Sequence, residues 1–467
     1  MLNNYEEQYK LLQDCYEGGG GFLTGEYLEK HPREDAQKYA MRKNMTYFLN
    51  YTKPCVDAHV APIFKRLANR EWEGVGSPAW ETFMKDVDFA GNDIENLMKK
   101  AAYSAKLNGC SFIIMDRNKD AEVEGTLASV SQDRSQLPYA FIVAPLDVKE
   151  IQTDRFGRIT KFSYYEQDEE NENVRLLRTL TKDGWKLEGV GNSDRNESGS
   201  WELDTVPVIT LASKDFDPMR PFVLSDFTAI AQTNKVIFNL CSQLTEILTD
   251  QTFSVLVFPT NDESELVIGT NNAIGIPPES SHMPTFIAPD SAPAGTLQAT
   301  IQSLQQEIYR MAGVVNITGV RSQQSGVAKA WDFEQTNQVL ADFADRIEAV
   351  ELKVADLFKK WMNIEFDYTV NYPSDFNISD IEGELANAEV ALNLAFGDKF
   401  NVEIFKRVLT SYLPEISDED FDDMVKDYEA ELEQNKNDRE QFVLLTDNGE
   451  IDDGAEEGKE VGFKLES

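Results

Sequence analysis

Residues 316–361 read NITGVRSQQSGVAKAWDFEQTNQVLADFADRIEAVELKVADLFKKW, a polar, glycine-marked stretch that runs without a break into a helical pattern. Val339, Phe343, Ile347, Val350, Val354, Leu357 and Trp361 recur at spacings of three and four, which predicts one apolar stripe facing one neighbour. A helix from Gly326 to about Met362 would span roughly 55 Å, more than a compact domain needs. In the stretch before it, Gly313, Gly319 and Gly326 free the backbone. Asn316, Thr318, Arg321, Ser322, Gln323, Gln324 and Ser325 offer hydrogen bonds but no proton-transfer group. Taken alone this is a connector, and its chemistry suits contact rather than catalysis.

Working upstream, Ser225 and Asp226 form a good N-cap pair for a helix to about Thr252, with Phe227, Ile230, Ile237, Leu240, Leu244, Ile247 and Leu248 as its apolar positions. The proline and glycine density of VIGTNNAIGIPPESSHMPTFIAPDSAPAG predicts a small β unit rather than helix, and a second helix follows over Thr300 to Met311. Nearer the start, Glu34 to Leu67 reads as helix broken at Pro54 and Pro62, and Asp93 caps a helix to Lys106. Cys110 to Met115 reads as a buried strand. Three alternating segments between Tyr139 and Val190 predict antiparallel hairpins with turns at Asp154 to Gly157 and Asp183-Gly184, and Val206 to Leu211 adds a strand. Downstream, Ile364 to Tyr372 reads as a strand, and helical segments follow from Ile378 to Gln434, one beginning at Ser417 with Asp420 in capping-box register. Beyond about Lys436 the composition predicts a mobile acidic tail.

The 467 residues hold 82 acidic and 44 basic side chains, a formal net charge of -38. That balance is opposite to what a tight, static nucleic-acid complex needs. It fits a solubility device, an acidic partner-facing surface, or a wall past which a polyanion slides. No run approaches the length of a membrane span, and the start lacks a signal-peptide pattern, so the chain is expected to stay in the cytosol where it is made. Cys15, Cys55, Cys110 and Cys241 are far apart, as are His31, His59 and His282, so neither a disulfide framework nor a zinc site is expected.

Motifs for phosphate loops, metalloproteases, serine hydrolases and dinucleotide binding are absent. The cluster Gly18 to Gly21 follows no strand and reads as a flexible linker. The acidic run Asp418 to Asp423 points around a helix, which favours a solvated face over a metal site. Lys235 and Arg310 lie on otherwise apolar or neutral helices, where they would present charge to a passing phosphate or close an ion pair. His282 reads as an exposed loop residue. No catalytic residue, metal site or cofactor is assigned.

The order of elements is the strongest signal: the strand VPVIT, the capped helix, the β insert, the second helix, NITGVRSQQSG, the helix opening SGVAKAWDFEQ, and an acidic helical end. From about Tyr139 to Gln434 this resembles the portal protein of tailed bacteriophages, the ring through which double-stranded DNA enters and leaves the head. The resemblance implies an α+β, portal-like subunit: N-terminal arm 1–33, a mixed α/β wing over 34–224, stem helix one over 225–252, a β clip over 253–298 and stem helix two over 299–312. It further implies a tunnel loop over 313–325, a long wing helix and strand over 326–374, a helical crown over 375–435 and the acidic tail over 436–467. Asn316, Thr318, Arg321, Ser322, Gln323, Gln324 and Ser325 would then face DNA, with Lys235 and Arg310 as channel charges. Val257, Phe258, Ile268, Ile276, His282 and Phe286 would contact terminase or an adaptor. The implied partners are further copies of the chain, typically in a dodecamer, duplex DNA passing without sequence specificity, the terminase large subunit, a head-tail adaptor, the major capsid protein and scaffold, with no membrane. The implied location is the portal vertex of the virion, after synthesis in the host cytoplasm, and no enzymatic activity is expected. Two alternatives stand beside it: another phage head or connector protein, and a soluble acidic metal-dependent enzyme.

Overall fold

The computed structural model describes residues 5–117, 133–168, 171, 174–191, 194–252, 255–259, 273–276, 285–287, 292–314, 326–374, 376, 388, 390–391, 397–412 and 418–447. The chain divides into two compact units, Met1–Phe376 and Asn377–Ser467.

The first unit opens with helices α1 (Glu6–Glu17), α2 (Gly21–Thr24), α3 (Ala36–Met45) and α4 (Thr52–Ala58), then strand β1 (Asn69–Glu73). Helices α5 (Ser77–Lys85) and α6 (Ile94–Asn108) lead into β2 (Cys110–Asp116). Asp93 caps α6 by accepting from the Asn96 amide, as its sequence predicts. Gly109 ends the helix with positive φ, where a Cβ would strike the Val223 carbonyl. Every residue of β2 is buried, because it is the middle strand of an antiparallel sheet between β3 (Tyr139–Val143) and β9 (Val208–Ala212).

Two of the three expected hairpin segments, joined by a last strand that sequence reading missed, form a five-stranded antiparallel meander in sequence order: β4 (Val148–Thr153), β5 (Ile159–Gln167), β6 (Arg175–Thr181), β7 (Gly184–Gly189) and β8 (Asn196–Ser200), while the third segment is β3 of the other sheet. Then come α7 (Thr228–Thr252), the strands β10 (Val255–Pro259), β11 (Ala273–Ile276) and β12 (Thr285–Ile287), α8 (Ala292–Met311), α9 (Gly326–Met362) and β13 (Asp367–Asn371). In the small sheet β10 is central, parallel to β11 and antiparallel to β12.

Helix α9 has the expected limits, and Phe343, Ile347, Val350, Val354 and Leu357 are buried against Trp80, Phe83 and Phe366. Val339 departs from the expected stripe: it faces solvent, and Leu340 takes the buried position one residue on. Leu248 is likewise exposed on α7. Residues 6–17 form a helix with Tyr9, Leu12 and Cys15 fully buried in a core shared with Ile230, Phe238 and Ile308. The glycine cluster Gly18 to Gly21 is not the expected flexible linker. Gly18 caps α1 in the left-handed region, and Gly20 and Gly21 pack so tightly on Asp14 and Tyr27 that no Cβ would fit. Helix α8 begins at Ala292, earlier than expected, because Pro293 sits in its first turn, where a missing N–H costs nothing.

The second unit contains α10 (Asp398–Tyr412) and α11 (Asp418–Asp447), which bury Val402, Leu409 and Val425 and stack Phe405 on Tyr428 at 4.2 Å. Helix α11 continues past the expected boundary at Lys436 as far as Asp447. Ser417, most of the segment expected as the first crown helix and the tail beyond Asp447 lie outside the described residues.

A buried charge network joins distant parts of the first unit. Glu351 of α9, fully buried, accepts from Arg70 Nε at 2.7 Å, from Tyr368 Oη at 2.5 Å and from Tyr372 Oη at 2.6 Å. Arg70 also pairs with Glu95 of α6 at 2.7 Å. Burial opposes the Arg70 charge, but the hydrogen bonds and charge of Glu351 outweigh it and raise its pKa. Removing one partner strands the other in the core, so Glu351→Ala should destabilise the unit by about 3–5 kcal/mol in urea unfolding. Arg70→Met combined with Glu351→Leu should cost less than the sum of the two single changes, and strict additivity would refute the coupling.

Lys106, at the end of α6, is buried with its amine 4.9 Å from the Phe343 ring centroid. Burial pushes its pKa down to about 8; Asp226 opposes this, while Arg346 and Lys214 add to it. Below pH 8 the lysine is charged in both folded and unfolded chains, so the burial penalty is complete. As pH rises towards the unfolded value of 10.5 the penalty fades. Lys106→Met should therefore gain stability over the parent at pH 7, by up to about 3 kcal/mol, and that advantage should close between pH 8 and 10. A pH-independent difference in urea midpoints would contradict the assignment.

Candidate functional site

Helices α7 and α8 pack side by side and carry the small sheet between them in the chain. Besides the apolar core they share, polar residues placed within the apolar face of α7 tie it to the chain around it. Asn234, fully buried, accepts from the Tyr51 amide at 3.0 Å and from the Thr52 hydroxyl at 3.2 Å, and donates to the Leu49 carbonyl at 2.8 Å. One turn on, Asn239 accepts from the Glu29 amide at 2.8 Å and donates to the Tyr27 carbonyl at 3.0 Å. Ser242 receives the Arg42 guanidinium at 2.8 Å.

The chain between Tyr27 and Thr52 is thus bolted to α7 through its backbone. Asn234 satisfies groups at the buried Thr52 that would otherwise lose their partner, at a cost of about 1–3 kcal/mol each, whereas Asn239 holds more exposed backbone at Glu29 and Tyr27. Sequence reading missed these three residues. The available signal was their polarity at positions where an apolar stripe should have continued.

Lys235, half-buried on α7, lies with its ammonium 5.4 Å from the Tyr27 ring centroid. Arg310 is exposed near the end of α8, and its Nε donates to Glu307 at 2.8 Å, closing an ion pair within one helical turn. Its charge is therefore compensated locally. Val257 on β10 is paired with Thr285, and Phe286 of β12, 66% exposed, pairs with Leu256. Phe258 lies on β10 and Ile276 on β11, at adjacent register positions. Ile268 and His282 lie outside the described residues, as do Asn316, Thr318, Arg321, Ser322, Gln323, Gln324 and Ser325. The segment holding those last seven is bracketed by α8 and α9, and Thr336 of α9 donates to the Gly313 carbonyl at 3.2 Å.

The titratable groups near these helices are arranged for packing. Burial raises the Cys15 and Cys55 thiols to about 12 and Cys110 to about 11, which keeps all three protonated and poor nucleophiles. His59 is buried with Nδ1 2.8 Å from the Cys55 carbonyl, and burial lowers its pKa to about 4, so the ring is neutral near pH 7. Among the described residues no group of three or more His, Cys, Asp or Glu side chains is placed to hold a metal ion. Asp420, Asp422 and Asp423 are exposed on α11, with Lys426 at 3.5 Å from Asp423. No helix among the described residues is long and apolar enough to cross a membrane.

No family model matches the chain, and no curated protein matches it. Solved structures do show similarity. A chain from the neck of an empty gene transfer agent particle, computed with sixfold symmetry, has a TM-score of 0.40 at 9% identity, covering 81% of this chain and 90% of that one. A chain from the virion of the native gene transfer agent particle gives 0.37 at 11%, covering 77% and 93%. A chain from the neck of the native particle, computed with twelvefold symmetry, gives 0.39 at 10%, covering 75% and 87%.

Proposed function

We propose that this chain is a portal subunit: several copies enclose a channel at one vertex of a tailed-phage head, through which double-stranded DNA is packaged and ejected. The observation that carries the reading is the order of elements from α7 to α9. A pinned helix, a small sheet and a returning helix are followed by a polar segment and then by a helix of 37 residues. In this reading α7 and α8 are the stem, β10 to β12 belong to the clip, residues 313–325 form the tunnel loop and α9 lies in the wing.

The charge supports the reading. Twelve copies would bring together a net formal charge of roughly -450, so a bore lined by part of that surface repels duplex DNA and keeps it from adhering. The loop's amides and hydroxyls can touch phosphates weakly and reversibly, without reading bases. The exposed Phe286 of the small sheet offers an apolar contact to terminase or to an adaptor. The capsid protein and scaffold would surround the wing. Chemistry on ATP or DNA is left to the motor.

The purified chain should form rings with a central opening wide enough for a duplex, visible by negative-stain imaging. Monomers at every concentration and salt would exclude the reading. Rings that never support terminase-driven packaging would favour a different head or connector protein. Deleting Ser322 to Gln324 should leave ring assembly intact and lower DNA packaging or retention at least about tenfold, the loss expected when a positioned contact is removed. Unchanged packaging by that deletion would remove the loop from the mechanism.

A further inference from the structure

A cleft of about 520 Å³ lies where the Glu29–Lys38 stretch and α3 meet α7, lined by Lys30, Arg33 and Lys38 on one side and by Gln243 and Glu246 on the other. Arg42 forms its floor and is already engaged, donating to Glu34 at 2.7 and 2.8 Å, to Ser242 at 2.8 Å and to the Glu29 carbonyl at 2.8 Å. Lys30, Arg33 and Lys38 are different. All three are exposed and none closes a salt bridge among the described residues, though Lys30 is near enough to Glu34 to help hold its carboxyl below the usual range. In a chain of net charge -38, the residues from 30 to 43 hold Lys30, Arg33, Lys38, Arg42 and Lys43 against only Glu34 and Asp35. The local sign of charge is inverted.

An apolar flank adjoins the cleft. Helix α3 has Arg42 as its buried anchor, leaving Met41 64% exposed and Met45 partly so. Met45 Sδ stands 4.0 Å from the Thr249 hydroxyl on α7, next to the exposed Leu248. An uncovered apolar strip beside unpaired cations has the composition of an interface whose rim is charged.

We infer that this cleft and its flank are the seat for a carboxylate-bearing face of a second copy of the same chain, an inference that rests on the ring reading. The acidic excess makes identical copies repel one another over most of their surfaces. The inverted patch supplies the complementary sign, and such complementarity fixes register and orientation more than it adds raw affinity. A phosphate backbone fits less well. Glu29 and Glu246 line the same cleft and would face phosphates, whereas a protein surface can match them with cations of its own. The volume also suits a few side chains rather than a duplex.

The test compares the full-length protein with Lys30→Glu/Arg33→Glu/Lys38→Glu, with Met41→Asp and with the charge-conserving Lys30→Arg/Arg33→Lys/Lys38→Arg, by sedimentation and negative-stain imaging. In about 0.1 M salt, where charges within ~10 Å still interact, the first two should need at least tenfold more protein to assemble. The conserving variant should assemble like the parent. Thermal melting of the protomer should be the same for all, because the altered side chains are exposed. If the parent forms rings and the reversed-charge variants do so at the same concentration, the inference is wrong while the ring reading stands. A parent that never assembles removes both. Unchanged assembly with loss of duplex DNA binding in the triple variant would assign the cleft to nucleic acid instead.

Discussion

The burial of Glu351 constrains the first unit more than any other single placement. A carboxylate with no solvent must have its oxygens filled, and here Arg70, Tyr368 and Tyr372 fill them from three other positions in the chain. That requirement fixes the rotation of α9 about its own axis, because turning the helix by one residue would bury a methylene in place of an acceptor. It also fixes the pairing of β1 with β13, strands nearly the length of the unit apart in sequence, through Arg70 on one and Tyr368 on the other. A two-stranded ribbon is marginal alone. Packed on Trp80 and Phe366 and tied through Glu351, it becomes the seam that closes the unit.

What could be read in the sequence was whatever has a short period. The stripe from Phe343 to Leu357 located α9, Asp93 located α6, and strict alternation located the meander, because helix and strand spacings act over a few residues. What escaped reading depends on partners far away. Glu351 sits between apolar neighbours and looks like a solvent-facing charge until Arg70 is brought to it. Asn234, Asn239 and Ser242 look like interruptions of an apolar face until the Tyr27 to Thr52 backbone is laid across them. The glycines at 18 to 21 read as a linker because the close approach of Asp14 and Tyr27 that demands them cannot be inferred from composition. Of the proposed site, the two helices and the small sheet were legible, and the register that pins them was not.

The same long-range pairing explains where the acidic excess goes. Arg42, Arg70 and Arg178 are engaged internally, with Arg178 held between Asp116 at 3.2 Å and Glu166 at 2.9 Å and lying over Trp185. Arg346 and Lys360 tie α9 to the exposed Asp215 and Asp204. Each of these internal ties removes at least one carboxylate from the surface together with its cation, so the exterior keeps most of the acidic excess of the composition. A basic island such as Lys30, Arg33 and Lys38 then stands out physically, since it is held back from this internal use.

Burial is distributed in the same uneven way along the paired helices. The buried residues of α7 end at Ser242, and those of α8 begin at Ile301. Between those points and the small sheet the side chains of α7 are half-buried or exposed, with Leu244 still packed against the core and Leu248 exposed. The pair of helices is thus pinned at one end by Asn234, Asn239 and Arg42 and less buried towards the small sheet, the arrangement of an anchored lever. Its base is held by desolvated hydrogen bonds that resist rotation, while its distal part has surface left for neighbours to cover. In a ring such a lever would gain its remaining order from adjacent copies, so the channel wall would be set by assembly, and the position of the polar segment after α8 would follow from it.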